Sequence, residues 1–528
     1  MGLEGSRKSW SVNTNLLKYS LALLFTLTKF SKKKNKKKMK KPELIFIPAP
    51  GMGHLVFTVE FANRLLDRDG RLSITVIVIR TSFTPEVLAY AESLAASDAR
   101  IRYIVLPLLE PPSIKLMKSP ENYFSLLIER YKPLVKEVII EHVLSRSRSI
   151  AGLVVDFFCT SMIDVANELN VPSYLFFPSN AAFLGFMLYL SIHKKKVGKC
   201  FDISDPDSII PAYENPVPSS VLPAALNMEG YACFSNHGSR FKETKGIIIN
   251  TFAELEPYAI KSLVADEETP PVYTVGPLLD LKSGNKTSRF DHEKIMNWLD
   301  DQPVSSVVFL CFGSMGGFEP PQLMQIAIAL EQSGCRFLWS IRRAKKFIAG
   351  DSKGQDGPGE IFPEGFLERT QNRGMICDWA PQIDILAHEA IGSFVSHCGW
   401  NSILESLWYG VPIVTWPLYA EQQINAFEMV KELGLGVELK LDYRISNPVI
   451  VEANEIEKAI RSVMDKENPV RKRVQEIKKE SRKAGTDGGS SFASIGRFID
   501  KVMQKKAKND HRQANVKGTM QISVYTIL

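Results

Sequence analysis

The fold is decided by residues 44–79, which read LIFIPAPGMGHLVFTVEFANRLLDRDGRLSITVIVI. The segments Leu44–Pro48 and Ser73–Ile79 are short, nearly continuous apolar runs, a pattern typical of strands buried on both faces of a parallel sheet. Between them, Val56–Leu66 carries apolar residues at helical spacing. A strand, a loop, a helix and a second strand in this order predict an open α/β sheet.

The same alternation continues in two series along the chain. Between the series, residues 270–289 combine Pro-Pro, Gly-Pro and Ser-Gly-Asn-Lys-Thr-Ser, which is typical of a linker. We therefore predict an α/β protein with two doubly wound domains, each of roughly 200 residues, that face each other across a cleft. Ligands should bind beyond the carboxyl ends of the strands. Further strands are predicted at 103–106, 152–156, 174–177, 246–250, 306–312, 336–341, 374–377, 392–396, 412–416 and 436–439, and helices at 162–169, 322–333, 383–389, 402–409 and 423–433.

Composition and charge exclude several classes of protein. The chain has 528 residues, of which 45% are hydrophobic and 23% charged, so it is globular rather than disordered. No run approaches the ~20 apolar residues that a membrane-spanning helix needs. The net charge of +7 comes from the two ends, and residues 39–503 alone carry −6. A mildly acidic body with basic ends is a poor nucleic-acid binder.

The seven cysteines are scattered and never form a C-x-x-C pair. Neither a disulfide framework nor a structural zinc site is therefore indicated, and buried thiols in a reducing compartment are expected. This pattern favours a cytoplasmic location.

The amino-terminal segment carries two weak targeting patterns. The apolar run Tyr19–Thr28 is as long as a signal-peptide core, but no small-residue cleavage site follows it and the lysines lie on the wrong side. Residues 1–6 fit the loose myristoylation pattern, with the basic cluster Ser31–Lys38 as a second membrane signal. The alternative, which we favour, is that the ordered protein begins at Met39. The predicted parts are a disordered extension at 1–38, a first domain at 39–275, a linker at 276–290, a second domain at 291–490, a helix at 491–503 that could return to the first domain, and a disordered tail at 504–528.

The loop after the first strand contains Gly51-Met-Gly53, which suggests a dinucleotide site. The third glycine of G-x-G-x-x-G would fall on Val56, however, and Arg80 rather than an acidic residue follows the second strand. A tight loop that presents His54 at the start of a helix explains the glycines better.

The segment Ser396-His-Cys-Gly-Trp-Asn-Ser402 joins a predicted strand to a predicted helix. A helix N-terminus with unpaired N–H groups binds anions, and His397 adds a donor beside it. Asn401 and Ser402 can cap the helix and also reach outward. The segment therefore predicts a phosphate cradle without metal ligands, and the alternative is that Asn401 and Ser402 only cap.

The cradle lies within a block of 44 residues, Trp379–Gln422. This block resembles the signature box of the plant secondary-product UDP-glycosyltransferases (family 1 glycosyltransferases, GT-B fold) at nearly every diagnostic position. The one departure is Ile403, where threonine is commoner. The resemblance extends over residues 39–503 and includes Pro50-Gly-Met-Gly-His54, Val155-Asp-Phe-Phe-Cys-Thr-Ser161 and Cys311-Phe-Gly-Ser-Met315.

The resemblance implies how a UDP-sugar would be held in the second domain. Trp379 would stack on uracil, with the backbone of Ala380 and the side chain of Gln382 nearby. Glu405 would bind the two ribose hydroxyls with its paired oxygens. In this family, glutamine at the last box position goes with glucose donors. The diphosphate would be held by His397, Asn401, Ser402 and Ser314, and the sugar hydroxyls would be read by Trp400, Glu421 and Gln422.

The resemblance also implies the catalytic pair, His54 and Asp156. Asp156 would orient the imidazole and stabilise its protonated form while the other ring nitrogen takes the acceptor proton. A single attack at the anomeric carbon would give a β-glucoside, and no metal or other cofactor is expected. For the acceptor pocket in the first domain, Phe158 and Asn180 are the predicted contacts, with Phe176 and Phe177 as further candidates for its wall.

These expectations combine into one function and two alternatives. The chain is predicted to transfer glucose from UDP-glucose to a small lipophilic phenol, flavonoid or terpenoid alcohol, as a cytoplasmic monomer without a nucleic-acid partner. One alternative is the same fold with another UDP-sugar. The other is a non-catalytic protein that binds a UDP-sugar or another small ligand, which would keep Trp379 and Glu405 but would not need His54, Asp156 and Gln422 together.

Overall fold

The computed structural model describes residues 41–144, 149–226, 228–281, 289–341 and 362–504. The predictions made for residues 1–38, for linker residues 282–288 and for the tail beyond residue 504 lie outside this part of the chain. In the described ranges, no helix has both the length and the apolar character that crossing a membrane requires.

The first domain is built on a parallel sheet of seven described strands in the order β3-β2-β1-β4-β5-β6-β7. Alternate residues of β1 enter two different core layers: Ile45 and Ile47 pack on one face, and Leu44 and Phe46 on the other. Burial on both faces explains the unbroken apolar run. The strands are β1 (Glu43–Ile47), β2 (Ser73–Val78), β3 (Ile101–Val105), β4 (Ile150–Asp156), β5 (Ser173–Phe177), β6 (Ile247–Ile249) and β7 (Val272–Thr274). The helices are α1 (Met52–Arg68), α2 (Glu86–Ser97), α3 (Pro120–Arg130), α4 (Lys132–Val138), α5 (Met162–Glu168), α6 (Ala181–Val197), α7 (Met228–Phe241) and α8 (Pro257–Ala265).

The second domain repeats the plan with six described parallel strands in the order β10-β9-β8-β11-β12-β13. The predicted class, an α/β protein with two doubly wound domains, is confirmed. The strands are β8 (Val307–Cys311), β9 (Arg336–Ser340), β10 (Gly374–Cys377), β11 (Ile391–Ser396), β12 (Ile413–Thr415) and β13 (Gly436–Glu438). The helices are α9 (Arg289–Asp300), α10 (Pro320–Ser333), α11 (Phe366–Thr370), α12 (Gln382–Ala387), α13 (Trp400–Tyr409), α14 (Gln422–Phe427), α15 (Ala453–Met464) and α16 (Pro469–Ala484).

Residues 270–289 have the composition of a linker, but this interpretation is wrong for their first part. Val272–Thr274 forms the edge strand β7 and pairs in parallel with β6, opposite Ile247. The two prolines before it, Pro270 and Pro271, suggested a loop, but proline is compatible with the first residues of an edge strand. The carbonyl of Pro271 accepts a hydrogen bond from the Ile247 N–H at 2.9 Å, so the proline takes part in the pairing as an acceptor.

A helix at residues 490–504 connects the end of the second domain to the first. Its apolar side chains, among them Phe498, belong to the first domain's core layer. The Phe498 ring lies 5.1 Å from the ring of Tyr174 and 5.3 Å from that of Tyr273, measured between centroids. Ser491 also donates a hydrogen bond to the carbonyl of Gly276. This helix ties the two domains together and so helps to set the width of the cleft between them.

Candidate active site

A cavity of about 640 Å³ lies between the two domains and is lined by both. Its lining comes from the loops that follow β1, β4, β8, β10 and β11, so it lies at the carboxyl ends of both parallel sheets, as expected for doubly wound folds. The first domain supplies an imidazole and an aromatic wall. The second supplies a helix N-terminus and a group of polar side chains.

His54 and Asp156 meet because β1 and β4 are neighbours in the sheet, with Ile47 paired to Val155. His54 lies in the first turn of α1, and Asp156 is the last residue of β4. Nδ1 of His54 donates to Oδ2 of Asp156 at 2.7 Å, and Oδ1 of Asp156 accepts the backbone N–H of Phe158 at 3.0 Å. Nε2 of His54 remains for a proton from a bound molecule, since the ring lines the cavity.

The surroundings of His54 favour its protonated form. Burial lowers the pKa of His54, but the charge and hydrogen bond of Asp156, together with the charge of Glu421, raise it, and the net pKa is above the ordinary value. Asp156 itself is only 1% exposed. An imidazole held in this way can accept a proton and be stabilised by the carboxylate behind it, which is the arrangement of a general base with its orienting residue.

The anion cradle is at the start of α13, directly after β11. The N-cap residue is Gly399, which has no side chain that could cap the helix. Oγ of Ser402 accepts a hydrogen bond from Gln382, so the alternative in which Asn401 and Ser402 only cap finds no support. Both residues line the cavity, and Oδ1 of Asn401 is buried without a hydrogen-bond partner among the described residues. The first-turn N–H groups and these side chains are available to an anion.

His397 lies between two glycines of this cradle. A Cβ atom at either Gly313 or Gly399 would come within 2.7 Å of Nε2 of His397, and Gly313 has a φ of +75°. Only glycine allows the backbone to approach the ring so closely in this conformation. Burial lowers the pKa of His397 to about 4, against an opposing hydrogen bond with the Cys311 backbone. His397 is therefore neutral near pH 7 and contributes a dipole rather than a full charge.

A second polar group surrounds Glu405, one turn along α13. Nε2 of Gln382 donates to Oε2 of Glu405 at 2.6 Å and to Oγ of Ser402 at 2.9 Å. Burial raises the pKa of Glu405 to about 7, the hydrogen bond from Gln382 opposes the shift, and the charge of Asp280 adds to it. Trp379 and the neighbouring Ala380 line the same part of the cavity. This region therefore offers a planar ring beside a carboxylate that can accept two hydroxyls.

The three residues predicted to bind the sugar hydroxyls differ in their positions. Glu421 and Trp400 line the cavity, but the Trp400 indole N–H donates to the Asn250 carbonyl of the first domain at 2.7 Å. Trp400 can then contact a ligand only through its ring or backbone. Gln422 is 4% exposed and lies outside the lining, and its Oε1 accepts the backbone N–H groups of Leu418 and Tyr419.

The predicted acceptor contacts are only partly brought together. Phe158 lines the cavity, with its ring centroid 5.9 Å from that of His54. Asn180 does not: it is fully buried, its Oδ1 caps α6 through the Phe183 N–H, and its Nδ2 donates to Asn425 of the second domain. The acceptor role predicted for Asn180 thus finds no support in its position. The rings of Phe176 and Phe177 are also buried in the core rather than exposed in the wall.

Sequence reasoning did not identify several residues of the cavity wall, most of which come from helices and loops distant from any motif. No local pattern marks them, because an apolar residue on a helix face is ordinarily core. Among the described residues, no group of three histidine, cysteine or acidic side chains could hold a metal ion. The missed lining residues include Phe57, Glu121, Phe183, Pro223, Ala225 and Phe234.

Comparisons with known proteins identify this arrangement. A family model described as UDP-glucoronosyl and UDP-glucosyl transferase matches residues 289–479. UDP-glycosyltransferase 71K1 of Malus domestica is 53% identical over 477 residues, which cover 88% of this chain and 99% of that protein. Flavonol 3-O-glucosyltransferase UGT71C4 of Arabidopsis thaliana is 46% identical over 480 residues, with 88% and 99% covered. The crystal structure of Medicago truncatula UGT71G1 complexed with UDP-glucose matches with a TM-score of 0.80 and 49% identity, over 88% of this chain and 98% of that one.

Two facing doubly wound domains with a cavity between them, and a 49% identical structural relative, define a glycosyltransferase of the GT-B class. The chain belongs to the plant family 1 UDP-glycosyltransferases.

Proposed function

We propose that this enzyme transfers glucose from UDP-glucose to a hydroxyl of a small lipophilic acceptor, a flavonoid or a related phenol or terpenoid alcohol, and gives a β-glucoside. The observation that carries the proposal is the 2.7 Å hydrogen bond between His54 and Asp156 in the wall of a cavity that also contains the anion cradle. A protein that only bound a UDP-sugar would need the cradle but not an oriented base.

The reaction is an exchange of two bonds at the anomeric carbon. Nε2 of His54 takes the proton of the acceptor hydroxyl as the oxygen attacks that carbon, and the positive ring is stabilised by Asp156. The bond from the anomeric carbon to the diphosphate breaks, and its electron pair leaves on the phosphate oxygen. The N-terminus of α13 and the dipole of His397 meet that charge. One displacement inverts the configuration, so an α-linked donor gives a β-glucoside.

The donor assignment is supported by the polar groups around α13. Trp379 offers a ring for uracil, and Glu405 with Gln382 offers acceptors for the ribose hydroxyls, while Asn401 and Ser402 face the diphosphate. A structural relative binds UDP-glucose, and relatives are named as glucosyltransferases. Glucose as the sugar rests on these names and not on a contact from Gln422, which lies outside the cavity lining.

The acceptor class is supported by the aromatic wall. The rings of Phe157, Phe158, Phe183 and Phe234 line the cavity on the side of His54. Flat aromatic acceptors bury their surface favourably against such a wall. One relative is named UDP-glucose flavonoid 3-O-glucosyltransferase 6, from Fragaria ananassa.

We also propose that the enzyme works as a monomer in the cytoplasm. Both halves of the cavity come from one chain, so a second copy is not needed to complete it. All seven cysteines are free, which fits a reducing compartment.

The test is an acceptor and donor screen with purified enzyme. We expect UDP release and a β-glucoside with UDP-glucose, and a smaller rate with UDP-xylose, UDP-rhamnose or UDP-glucuronate. His54→Ala should lower kcat by ~10²–10⁴-fold. The matched control is His388→Ala, which removes a histidine that pairs with Asp300 at 3.1 Å outside the cavity lining. Saturable UDP-glucose binding without transfer to any acceptor would instead support the binding-protein alternative.

A further inference from the structure

We propose that Glu121 determines acceptor specificity: its carboxylate accepts a hydrogen bond from a second hydroxyl of the acceptor, distant from the hydroxyl that is glucosylated. The inference rests on the proposed function and names a chemical feature of the substrate, a polyhydroxylated aromatic compound with a hydroxyl at the end away from His54. Glu121 lines the cavity but belongs to none of the motifs described above.

Glu121 lies beside the aromatic wall, on the far side of it from the base. It is the second residue of α3, and Phe124 follows it by three positions, on the same helix face. The ring of Phe124 meets the ring of Phe158 edge to face, with 5.4 Å between centroids. Phe158 in turn contacts the ring of His54. An aromatic acceptor lying along Phe158 would therefore have its reacting hydroxyl near His54 and its other end near Glu121.

One carboxylate oxygen of Glu121 lacks a hydrogen-bond donor among the described residues. Its Oε2 atom is buried and has no hydrogen-bond partner among the described residues. The nearby cation Lys118 instead pairs with Glu229 at 3.6 Å. A buried carboxylate oxygen without a donor is unfavourable, and a ligand hydroxyl that supplies the donor removes that cost.

The position of Glu121 is held by a network that does not use its carboxylate. Oγ of Ser125 donates to the backbone carbonyl of Glu121 at 3.0 Å and lies 2.9 Å from Nε2 of His237. Nδ1 of His237 lies 2.8 Å from Oγ1 of Thr160, and its ring meets Phe158 edge to face. The first turn of α3 and the aromatic wall are thus joined as one rigid unit. A pre-oriented acceptor atom discriminates well between ligands with and without the matching donor.

A structural role for Glu121 is the competing explanation. A carboxylate in the first turn of a helix is stabilised by the helix dipole, and Ser119 already caps α3 through the Asn122 N–H. A purely structural residue would affect every acceptor equally. A specificity residue would affect only those acceptors that carry the second hydroxyl.

The experiment compares kaempferol with galangin, which lacks the single hydroxyl on the distal ring, and follows the product formed at a hydroxyl that both share. We expect the wild-type enzyme to prefer kaempferol in kcat/KM by about 10- to 100-fold, the range for a hydrogen bond to a charged group. Glu121→Leu should abolish that preference through KM for kaempferol and leave galangin within about twofold. The matched control is Glu129→Leu, because Glu129 lies in the same helix and its side chain is 58% exposed.

Each result decides one question. If wild type and Glu121→Leu discriminate equally between the two flavonols, or if the variant loses both activities in parallel with a drop in melting temperature, the inference about Glu121 is overturned and the proposed function stands. If wild-type enzyme transfers glucose to neither flavonol while it retains UDP-glucose binding, the proposed acceptor class fails, and the inference fails with it.

Discussion

Replacing Asp156 by asparagine tests the proposed chemistry most directly, because it changes one atom and leaves the volume of the side chain almost unchanged. Oδ1 of Asp156 accepts the Phe158 N–H, so that position must remain an oxygen in Asp156→Asn. The amide NH₂ would then occupy the place of Oδ2, 2.7 Å from Nδ1 of His54. A donor there forces Nδ1 to become an acceptor.

The consequence follows from the tautomers of a neutral imidazole. If Nδ1 accepts, the ring proton must be on Nε2, which faces the cavity and can no longer take the acceptor proton. The negative charge that stabilises the protonated ring is lost as well. We expect kcat to fall by about 10²–10⁴-fold, equivalent to roughly 3 to 5 kcal/mol in the barrier.

The assay measures kcat from UDP release at saturating donor and acceptor, and the Kd for UDP by calorimetry. The Kd should not change, because Asp156 is in the first domain and the donor groups surround α13. Asp300→Asn, at the pair with His388 outside the cavity lining, is the control. The double variant of His54→Ala with Asp156→Asn should be no slower than His54→Ala alone, since the two residues act as one unit. A kcat for Asp156→Asn within about threefold of wild type would refute the reasoning.

The remaining predictions concern pH and charge. The pKa of His54 is raised, and only its neutral ring can accept a proton, so kcat/KM should fall as the pH drops through a value above 6.5, as a pH–rate profile would reveal. Glu405, with a pKa of about 7, binds ribose hydroxyls best when ionised; UDP affinity should rise between pH 6 and 8 in calorimetry, and Glu405→Gln should remove this dependence. Burial raises the pKa of both Glu256 and Glu428, and the charge of Glu256 raises the pKa of Glu428 further. The folded protein therefore holds protons that the unfolded chain releases above about pH 4.5, and stability should decline as the pH rises from there. Glu428→Gln should raise the melting temperature at pH 8 by about 2–4 °C and have little effect at pH 4, and an equal shift at both values would contradict a raised pKa of Glu428.

Much of the fold and part of the site could be predicted because their signals are local. The strand pattern of residues 44–79 and the loop that presents His54 depend on neighbours in sequence, and the structure has both. The cradle after β11 lies at a junction between a strand and a helix. The seven residues Ser396–Ser402 were sufficient to predict that junction.

The role of a side chain was harder to predict where it forms a hydrogen bond with a distant part of the chain. Asn180 follows a strand, which is why it was predicted to contact the acceptor. Its side-chain amide instead donates a hydrogen bond to Asn425, 245 positions away. The indole N–H of Trp400 likewise donates a hydrogen bond to the distant carbonyl of Asn250. Glu121 was not predicted as a site residue, because no nearby sequence pattern indicates that the start of its helix lines the cavity.

The amino-acid sequence by itself determined most strands of the two sheets: apolar runs buried on both faces make parallel strands, and His54, Asp156 and His397 lie at or just after the carboxyl ends of those strands. Their assignment needs only periodicity and the geometry of a strand followed by a helix. Tertiary structure alone decided which loops share the cavity, which polar atoms are left for a ligand and where the acceptor wall ends. The physical reason is that these hydrogen bonds and this burial involve residues far apart in sequence. The helix at residues 490–504 and the contacts between the domains bring them together, and no local sequence pattern indicates their distances.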